Sequence, residues 1–343
     1  MEGSFYMAEN VIINSQEIRR LPAGSAFKAF FVVSSIVQKS DKNGKAYYDM
    51  TAADSFGTLE AKVWSDAQWL DKSTEHPLSA DDRLAPEKIP ALAGMTIGVN
   101  GKVSDFRGQL QYSFGKITLL NQEKFPPSAY LPHSPVPMEA LAARLAALIE
   151  GCGGAAGDFI RKVFTGEFLH KFREWPAAVS HHHAYAGGLL EHTVSMAACA
   201  KSMAQEMAIS GYDIDADIVV AGALLHDIGK LDSYRMTTVP NMTVEGALLD
   251  HVAQGYIRFC ELAERYGLDE KTKIHLGHII LSHHGMREYG SPVVPATPEA
   301  LVVSAADELD FKIFCWKDSV KNLTDEQPIS PWNNSAQRRF WKK

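Results

Sequence analysis

The sequence has no long apolar run, no paired cysteines and no strong excess of one charge. Its 343 residues contain no stretch of about 18–20 apolar residues, so we expect no transmembrane helix and no membrane partner. The four cysteines, Cys152, Cys199, Cys260 and Cys315, form no CxxC pair, which argues against a zinc knuckle and a disulfide-rich secreted domain. The start, MEGSFYMAEN, lacks a basic segment followed by an apolar core. These absences predict a cytoplasmic protein.

The composition is that of a folded protein whose charge is unevenly distributed. The chain is 46% hydrophobic and 22% charged, and its length is typical of two or three domains. Residues 1–125 carry 14 basic against 15 acidic side chains, whereas residues 126–343 carry 20 against 26. All 13 histidines except His76 and His133 lie between His170 and His284. Bound metal would reverse the local charge there, so the net charge of −7 does not exclude a nucleic-acid partner.

The first 125 residues have the pattern of β-structure. Apolar and aromatic segments at 27–38, 47–57, 58–66, 95–106 and 110–120 are separated by turn signals, and residues 70–92 are expected to form a loop with one short helix. Five strands with one long excursion before the fourth indicate an oligonucleotide-binding (OB) barrel, although another small β-barrel or sandwich would give a similar pattern. We therefore predict an OB-fold nucleic-acid-binding domain over residues 1–125.

The rest of the chain has a helical pattern. Residues 126–137 contain five prolines and are predicted to form a linker. Helical periodicity follows over 138–316, including a helical segment over 157–175. Residues 317–343 lose this periodicity and end in the basic, aromatic run QRRFWKK, which predicts a C-terminal tail.

Histidine and aspartate recur along the predicted helices. They are His192, His226, Asp227, His251, His283, His284 and Asp307. Asp227 follows an apolar helix, where a buried carboxylate is costly unless it is paired or binds metal. Imidazole and carboxylate ligands favour Mn, Fe, Co, Ni or Zn over Ca or Mg, and facing helices can supply ligands to a shared site. A single histidine of this kind is usually a hydrogen-bonded core residue, but five helices that each supply His or Asp favour a metal site.

The order of these residues resembles the signature of the HD-domain metal-dependent phosphohydrolases. Four blocks carry a closer resemblance: HHAYAGGLLEHT (182–193), LLHDIGK (224–230), LSHHGMREYGSP (281–292) and TPEALVVSAADELDFK (297–312). They are similar to the YhaM-type 3′→5′ exoribonucleases, which also have an OB domain before the HD domain and a basic, aromatic tail. The resemblance covers essentially the whole chain. It implies a multidomain fold in which an all-β OB barrel precedes an all-α HD-domain bundle over 138–316.

The resemblance also implies roles for individual residues. His192, His226, Asp227 and Asp307 would hold one divalent metal ion, and His251, His283 and His284 a second, with Asp227 between them. Manganese is the first choice of metal, and the contribution of each of the adjacent His283 and His284 stays open. The implied catalytic residues are Asp227, Lys230, His182 and His183. Lys230 would clamp a phosphate or else favour a helix dipole; His182 and His183 would contact phosphate or leaving group, or lie in a solvated loop. The cleavage polarity comes from the resemblance alone.

The implied substrate is single-stranded RNA, with single-stranded DNA as a second partner. Stacking aromatics and cations suited to a single strand are Tyr47, Lys62, Trp64, Lys102, Arg107 and Tyr112 in the barrel, and Arg287 and Tyr289 after the HHG turn. Alternatively, the barrel serves assembly, and the residues after HHG pack against the body. A homo-oligomer is a further partner that stays open. His275 and His278 are expected to be structural.

Two other functions remain open at this point. An HD site could act on a cyclic dinucleotide or a free nucleotide, although GMREYGSP stands where cyclic di-GMP enzymes have a GYP element. The chain could also be a replication-associated nucleic-acid-binding factor in which hydrolysis is secondary.

Overall fold

The chain divides into two compact units, each with its own apolar core. The computed structural model describes residues 11–74, 82–179, 183–321 and 323–343. One unit comprises Met1–His133 with Thr237–Val239, and the other Ser134–Met236 with Pro240–Lys343. None of the described helices is long and apolar enough to cross a bilayer. All four cysteines are free thiols.

The first unit is a closed β-barrel. A four-residue helix, α1 (Ser15–Ile18), precedes the strands, which are β1 (Ala26–Ser40), β2 (Ala46–Asp54), β3 (Gly57–Val63), β4 (Gln68–Asp71), β5 (Thr96–Phe106) and β6 (Gln109–Leu119). They lie in the order β3-β2-β1-β5-β6-β4, and a parallel pairing of β3 with β6 closes the barrel. This order confirms the predicted OB fold, with long β1 shared between two antiparallel halves.

Alternation along β1 explains how the barrel fills its interior. Phe27, Ala29 and Phe31 are buried, while Lys28 and Phe30 between them are only partly buried. Phe31 stacks on Phe114 of β6 with ring centroids 6.1 Å apart. The sequence pattern did not predict β4. Its four residues are too few to show a period, and their partner strand β6 is distant in the sequence.

The second unit is helical, as predicted. Its helices are α2 (Met138–Glu150), α3 (Gly154–Val163), α4 (Gly166–Glu174), α5 (Gly188–Ile209), α6 (Ala216–Leu225), α7 (Lys230–Ser233), α8 (Val244–Leu249), α9 (His251–Tyr266), α10 (Glu270–Ser282) and α11 (Pro298–Val320), and a small hairpin joins β7 (Tyr234–Met236) to β8 (Pro240–Met242). The expected helical segment over 157–175 is interrupted at Phe164 and Thr165, between α3 and α4. It breaks before Gly166, whose φ of 52° lies in the left-handed region that glycine adopts readily.

Helix α6 forms the centre of the helical core. Apart from Asp217 in its first turn, the sequence ADIVVAGALL is apolar on every side, and the residues from Ile218 to Leu225 are buried. Gly222 lets α10 approach closely, since a Cβ there would lie 2.5 Å from the Ile279 side chain. This central position brings the residues that follow α6, His226 and Asp227, into the interior.

The C-terminal residues fold back instead of leaving the unit. Helix α11 continues to Val320, so the predicted boundary at 316/317 falls inside it. Ile329 pairs with Trp341 and Asn333 with Arg338 in isolated antiparallel bridges. The indole of Trp316 donates a hydrogen bond of 3.0 Å to the Trp341 carbonyl, which holds the end of the chain against α11.

Candidate metal centre

Five helices bring all seven predicted metal ligands to one place. His192 lies near the start of α5, His226 and Asp227 follow α6, His251 begins α9, His283 and His284 follow α10, and Asp307 lies in α11. His192, His226, Asp227 and His283 are at most 2% exposed. Groups of their ligand atoms lie within 4.8 Å of one another.

Asp227 stands between two groups of histidines. Its Oδ2 is 3.4 Å from His192 Nε2 and 3.1 Å from His226 Nε2. Its Oδ1 is 3.5 Å from His251 Nε2 and 3.7 Å from His283 Nε2. Asp307 completes the first group, with its Oδ1 3.2 Å from His192 Nε2. The two carboxylate oxygens of Asp227 therefore face different sets of potential ligands.

The histidines are held from outside the cluster. In five histidines, Nδ1 lies close to an oxygen outside the cluster. For His192 and His251 this is a carboxylate oxygen of Asp310 (2.8 Å) and Asp250 (3.0 Å). For His226, His283 and His284 it is the backbone carbonyl of Ala223 (2.8 Å), Ile280 (2.7 Å) and Tyr289 (2.9 Å). An oxygen acceptor at Nδ1 favours the tautomer that carries its proton there and leaves Nε2 with a lone pair. Metal-binding histidines are oriented in this way.

Three buried polar atoms at the centre lack a hydrogen-bond partner among the described residues. They are Asp227 Oδ1, His251 Nε2 and His283 Nε2. Burying such atoms without a partner costs free energy, and here all three are electron-pair donors directed toward one another. A cation bound between them would satisfy all three. The donor set, imidazole with carboxylate, also fits a transition-metal ion.

His283 and His284 both turn toward this second group. The chain leaves α10 at His283, and the two rings are 4.2 Å apart with an interplanar angle of 70°. Ligand atoms of His251, His283 and His284 can all lie within 4.8 Å of one another. The backbone carbonyl of Tyr289 fixes the His284 ring from the turn that follows.

The electrostatics of the cluster favour an ionised Asp227 and a neutral His283 but a protonated His192. Burial alone would raise the pKa of Asp227, but the neighbouring His226 and Lys230 hold it well below its usual range. Burial, reinforced by His284 and His226, lowers the pKa of His283 well below its ordinary value. For His192 the carboxylates of Asp227, Asp307 and Asp310 outweigh burial and raise the pKa. A metal ion would compete with the proton at that ring.

Lys230 contacts Asp227 directly. Its Nζ lies 2.5 Å from Asp227 Oδ2, and the side chain is buried. Burial lowers the pKa of the Lys230 amine, but Asp227 outweighs burial and raises this pKa, so the amine stays charged. The charge of Lys230 is thus directed at the central carboxylate.

His183 lies behind His192, in a chain of contacts that the sequence analysis did not foresee. Its Nδ1 is 2.8 Å from the Tyr185 hydroxyl, which donates to Glu191. Its Nε2 is 3.4 Å from the Asp310 carboxylate that also holds His192. Asp310 follows Asp307 by three residues, and this helical spacing was the available signal for a second inward-facing carboxylate.

The other predicted site residues lie in several places. His182 lies outside the described residues. Arg287 and Tyr289 occupy an exposed 3-10 turn, and Tyr289 reaches the cluster only through its backbone. His275 contacts the buried Glu299 at 2.9 Å, and His278 accepts a hydrogen bond from the Ala296 amide, as expected of structural histidines.

In the barrel, three of the predicted nucleic-acid residues lie together and the others lie on β5, on β6 and in the turn between them. Trp64 and Tyr47 have ring centroids 5.0 Å apart, and the Lys62 amine is 5.1 Å from the Tyr47 ring. Lys102 is exposed on β5. Arg107 is in the β5–β6 turn, and Tyr112 packs against the barrel core.

The helical unit matches a known domain family, and most of the chain is similar to named proteins. Residues 189–312 match the family model of the HD domain. The 3′-5′ exoribonuclease YhaM of Oceanobacillus iheyensis is 29% identical over 291 residues, which cover 84% of this chain and 85% of the relative. The protein of the same name from Bacillus subtilis strain 168 is 29% identical over 291 residues, with coverages of 84% and 86%. Among solved structures, the second OB-fold domain of replication protein A from Methanococcus maripaludis matches with a TM-score of 0.20 and 14% identity, covering 32% of this chain and 94% of that one.

The sequence matches confirm the interpretation of the chain as a hydrolytic enzyme. The identification of the barrel depends on its own strand order, with β1 shared between both halves and β3 parallel to β6. The chain therefore joins an OB-fold barrel to an HD domain, and over 84% of its length it resembles the YhaM-type 3′→5′ exoribonucleases, as its motifs indicated.

Proposed function

We propose that the protein hydrolyses single-stranded RNA from the 3′ end and releases nucleoside 5′-monophosphates. The observation that carries the proposal is the arrangement around Asp227, where histidines held at Nδ1 direct Nε2 toward one carboxylate. This arrangement suits metal-assisted phosphodiester hydrolysis. The substrate class and polarity are taken from the relatives named 3′-5′ exoribonuclease.

The ligand sets suggest two cations, preferably manganese. His192, His226, Asp227 and Asp307 would hold one, and His251, His283 and His284 the other, with Asp227 contributing one oxygen to each. Such ions, when bound, polarise a phosphoryl oxygen and lower the pKa of water. The neutral state of His283, favoured by its burial, leaves its Nε2 available as a ligand.

The surrounding residues hold this geometry. Lys230 keeps Asp227 ionised and fixes its rotamer through the 2.5 Å contact. Contact with a substrate phosphate would be a second role for the same amine. His183 acts through Asp310, which orients His192. His182 completes the proposed catalytic set.

A cleavage assay with a 5′-labelled single-stranded RNA and Mn²⁺ tests this function. We expect a ladder that shortens from the 3′ end, and its loss in the Asp227→Asn variant or with a chelator. Asp318→Asn is a matched control, because Asp318 is exposed and pairs only with Lys321 among the ion pairs of the described residues. An intact RNA with the wild-type protein would contradict the proposal. Immediate release of labelled mononucleotide would contradict the polarity, and a parallel DNA substrate tests the second partner.

We also propose a cytoplasmic location. The support is chemical: Cys152, Cys199, Cys260 and Cys315 are all free thiols, as expected in a reducing compartment.

A further inference from the structure

The C-terminal hairpin, which we define as residues 328–343, lies against α11. Its two arms pair through isolated antiparallel bridges. Two hydrogen bonds of 3.0 Å connect it to the helix. The Trp316 indole donates one to the Trp341 carbonyl, and the side-chain amide of Asn333 donates the other to the Ser319 hydroxyl. The hairpin is therefore fixed to one of the helices that form the candidate metal centre.

Exposure alternates along the second arm of this hairpin. Arg339 and Trp341 are exposed, whereas Phe340 and Lys342 are half-buried. Alternate residues of an extended strand point to the same face and lie about 6.8 Å apart. Ile329, the bridge partner of Trp341, shares this face, because directly opposite residues of an antiparallel pair point the same way. The outward face therefore presents an indole that is 56% exposed, with an arginine on the same strand and an isoleucine beside it.

The charged side chains of the C-terminal hairpin are all basic. The hairpin has no Asp or Glu and four basic residues, which are Arg338, Arg339, Lys342 and Lys343. Lys317, which follows Trp316 on α11, is exposed as well. Neither Arg339 nor Lys317 takes part in an ion pair among the described residues, whereas two other lysines of this region pair with Glu308 and Asp318. The surface around the indole is therefore complementary to an anionic ligand.

Helix α11 sets the distance between the hairpin and the candidate metal centre. Asp307 and Trp316 both lie on this helix, and their separation along its axis is about 14 Å at 1.5 Å per residue. A single strand that rises about 3.4 Å per nucleotide covers this distance in about four nucleotides. A strand whose 3′ end lies at the metal centre can therefore reach the C-terminal hairpin with its next few nucleotides.

We propose that the C-terminal hairpin is a nucleotide subsite of the helical unit, in which a base of single-stranded RNA stacks on Trp341 and neighbouring phosphates contact Arg339 and Lys317. An exposed aromatic ring among cations suits a single strand, because every base has a face that can stack. An anionic lipid surface would use the same cations but needs a broad apolar face, which a single indole and isoleucine do not provide. The inference rests on the proposed function for its ligand.

Fluorescence anisotropy of a fluorescein-labelled oligouridylate of about 12 nucleotides, measured in EDTA to prevent hydrolysis, tests the subsite. We expect Trp341→Ala to weaken binding roughly 5- to 150-fold, as for the loss of one stacked base, and Trp341→Phe to restore most of it. Alanine keeps the backbone carbonyl that accepts from the Trp316 indole, so the hairpin stays anchored. Arg339→Gln should reduce the slope of log K against log salt by about 0.7. The matched control is Tyr212→Ala/Lys271→Ala, which removes an exposed ring and an exposed cation elsewhere in the helical unit.

Substrate length distinguishes a contact with RNA from a structural role of Trp341. An oligouridylate of about three nucleotides, bound with its 3′ end at the metal centre, is too short to reach the hairpin. With Mn²⁺ present, Trp341→Ala should therefore lower kcat/KM for the longer oligouridylate and leave kcat/KM for the short one unchanged. An equal loss for both lengths would assign Trp341 to the stability of the helical unit and overturn the subsite.

The remaining outcomes separate this inference from the proposed function. Hydrolysis of RNA by the wild type together with unchanged binding by Trp341→Ala and Arg339→Gln would overturn the subsite and leave the nuclease proposal intact. RNA binding that needs Trp341, without hydrolysis by the wild type, would support the subsite and reject the nuclease. Failure of the wild type to bind RNA would overturn the subsite. So would binding to phosphatidylglycerol vesicles that Trp341→Ala abolishes while its affinity for RNA is unchanged. Thermal melts check that each variant is folded, and if Trp341→Ala is not, the salt slope of Arg339→Gln decides.

Discussion

Replacing Asp310 with asparagine should weaken metal binding without removing a proposed metal ligand. The Asp310 carboxylate lies 2.8 Å from His192 Nδ1 and 3.4 Å from His183 Nε2. Burial opposes its ionisation, but His183 and His192 outweigh burial and hold its pKa below the usual range. Asparagine keeps the shape and a carbonyl acceptor but loses the charge that makes His192 a stronger donor to metal.

Loss of such an outer partner typically weakens metal affinity by about 10–100-fold, or roughly 1.4–2.8 kcal/mol at 1.4 kcal/mol per tenfold change. Asparagine can still accept the Nδ1 proton, so we expect Asp310→Asn near the lower end of this range. Asp310→Ala should fall near the upper end, because both imidazoles then lose their shared acceptor.

Calorimetric titration of the metal-free variants with Mn²⁺ measures this effect. Asp318→Asn provides the control, since it makes the same substitution farther along α11 at an exposed position. A dissociation constant in Asp310→Asn equal to that of the wild type would refute the reasoning. A lower melting temperature of the metal-free variant with an unchanged dissociation constant would assign Asp310 to packing alone.

Two further predictions concern the helices around the cluster. Gly229→Ala should destabilise the helical unit by about 1–3 kcal/mol and weaken Mn²⁺ binding, because the new Cβ would lie 1.9 Å from the His251 carbonyl at the start of α9. Urea unfolding measures the loss of stability. Gly115→Ala is the control, because a Cβ there would have no described atom within 4 Å. For Glu299, burial raises the pKa, but the Asp215 amide and His275 outweigh it and hold the pKa below 4.5. The ionised Glu299 carboxylate therefore stabilises the fold above pH 4.5, and this stabilisation is lost as the pH falls through the lower pKa of the folded state. Unfolding of Glu299→Gln should show a lower free energy of unfolding at neutral pH. The fall of that free energy between neutral and acid pH, the acid limb, should be flatter than in the wild type. An acid limb unchanged from the wild type would contradict this account.

The sequence carried enough information to predict a cluster of histidines and aspartates because these side chains are chemically conspicuous. His226 and Asp227 stand out at the end of an apolar helix, and every predicted ligand reached the same region. Asp310 was missed because acidic residues at this spacing also occur on solvated faces of helices. An inward-facing Asp310 is distinguished from a solvated one only by the position of α5, which places His192 beside its carboxylate.

Prediction was weaker where function depends on contacts distant in sequence. The β-periodicity indicated the strands of the barrel, but it gave no register between β1, β5 and β6. Without register, Lys28 and Lys116 could not be placed on either side of Asn100. The fold of the C-terminal residues was missed for a similar reason, since the Trp316–Trp341 contact joins residues whose local sequence shows no period.

The distribution of the proposed ligands over five helices would make the stability of the helical unit depend on metal concentration. His192 and Asp307 lie on α5 and α11, and the residues between them supply the remaining ligands. An ion bound there acts as a cross-link that the unfolded chain lacks, and at a hundredfold excess over Kd it would add about 2.7 kcal/mol. The barrel has a separate apolar core and would gain none of this. Metal starvation would therefore loosen the catalytic unit while the barrel stayed folded.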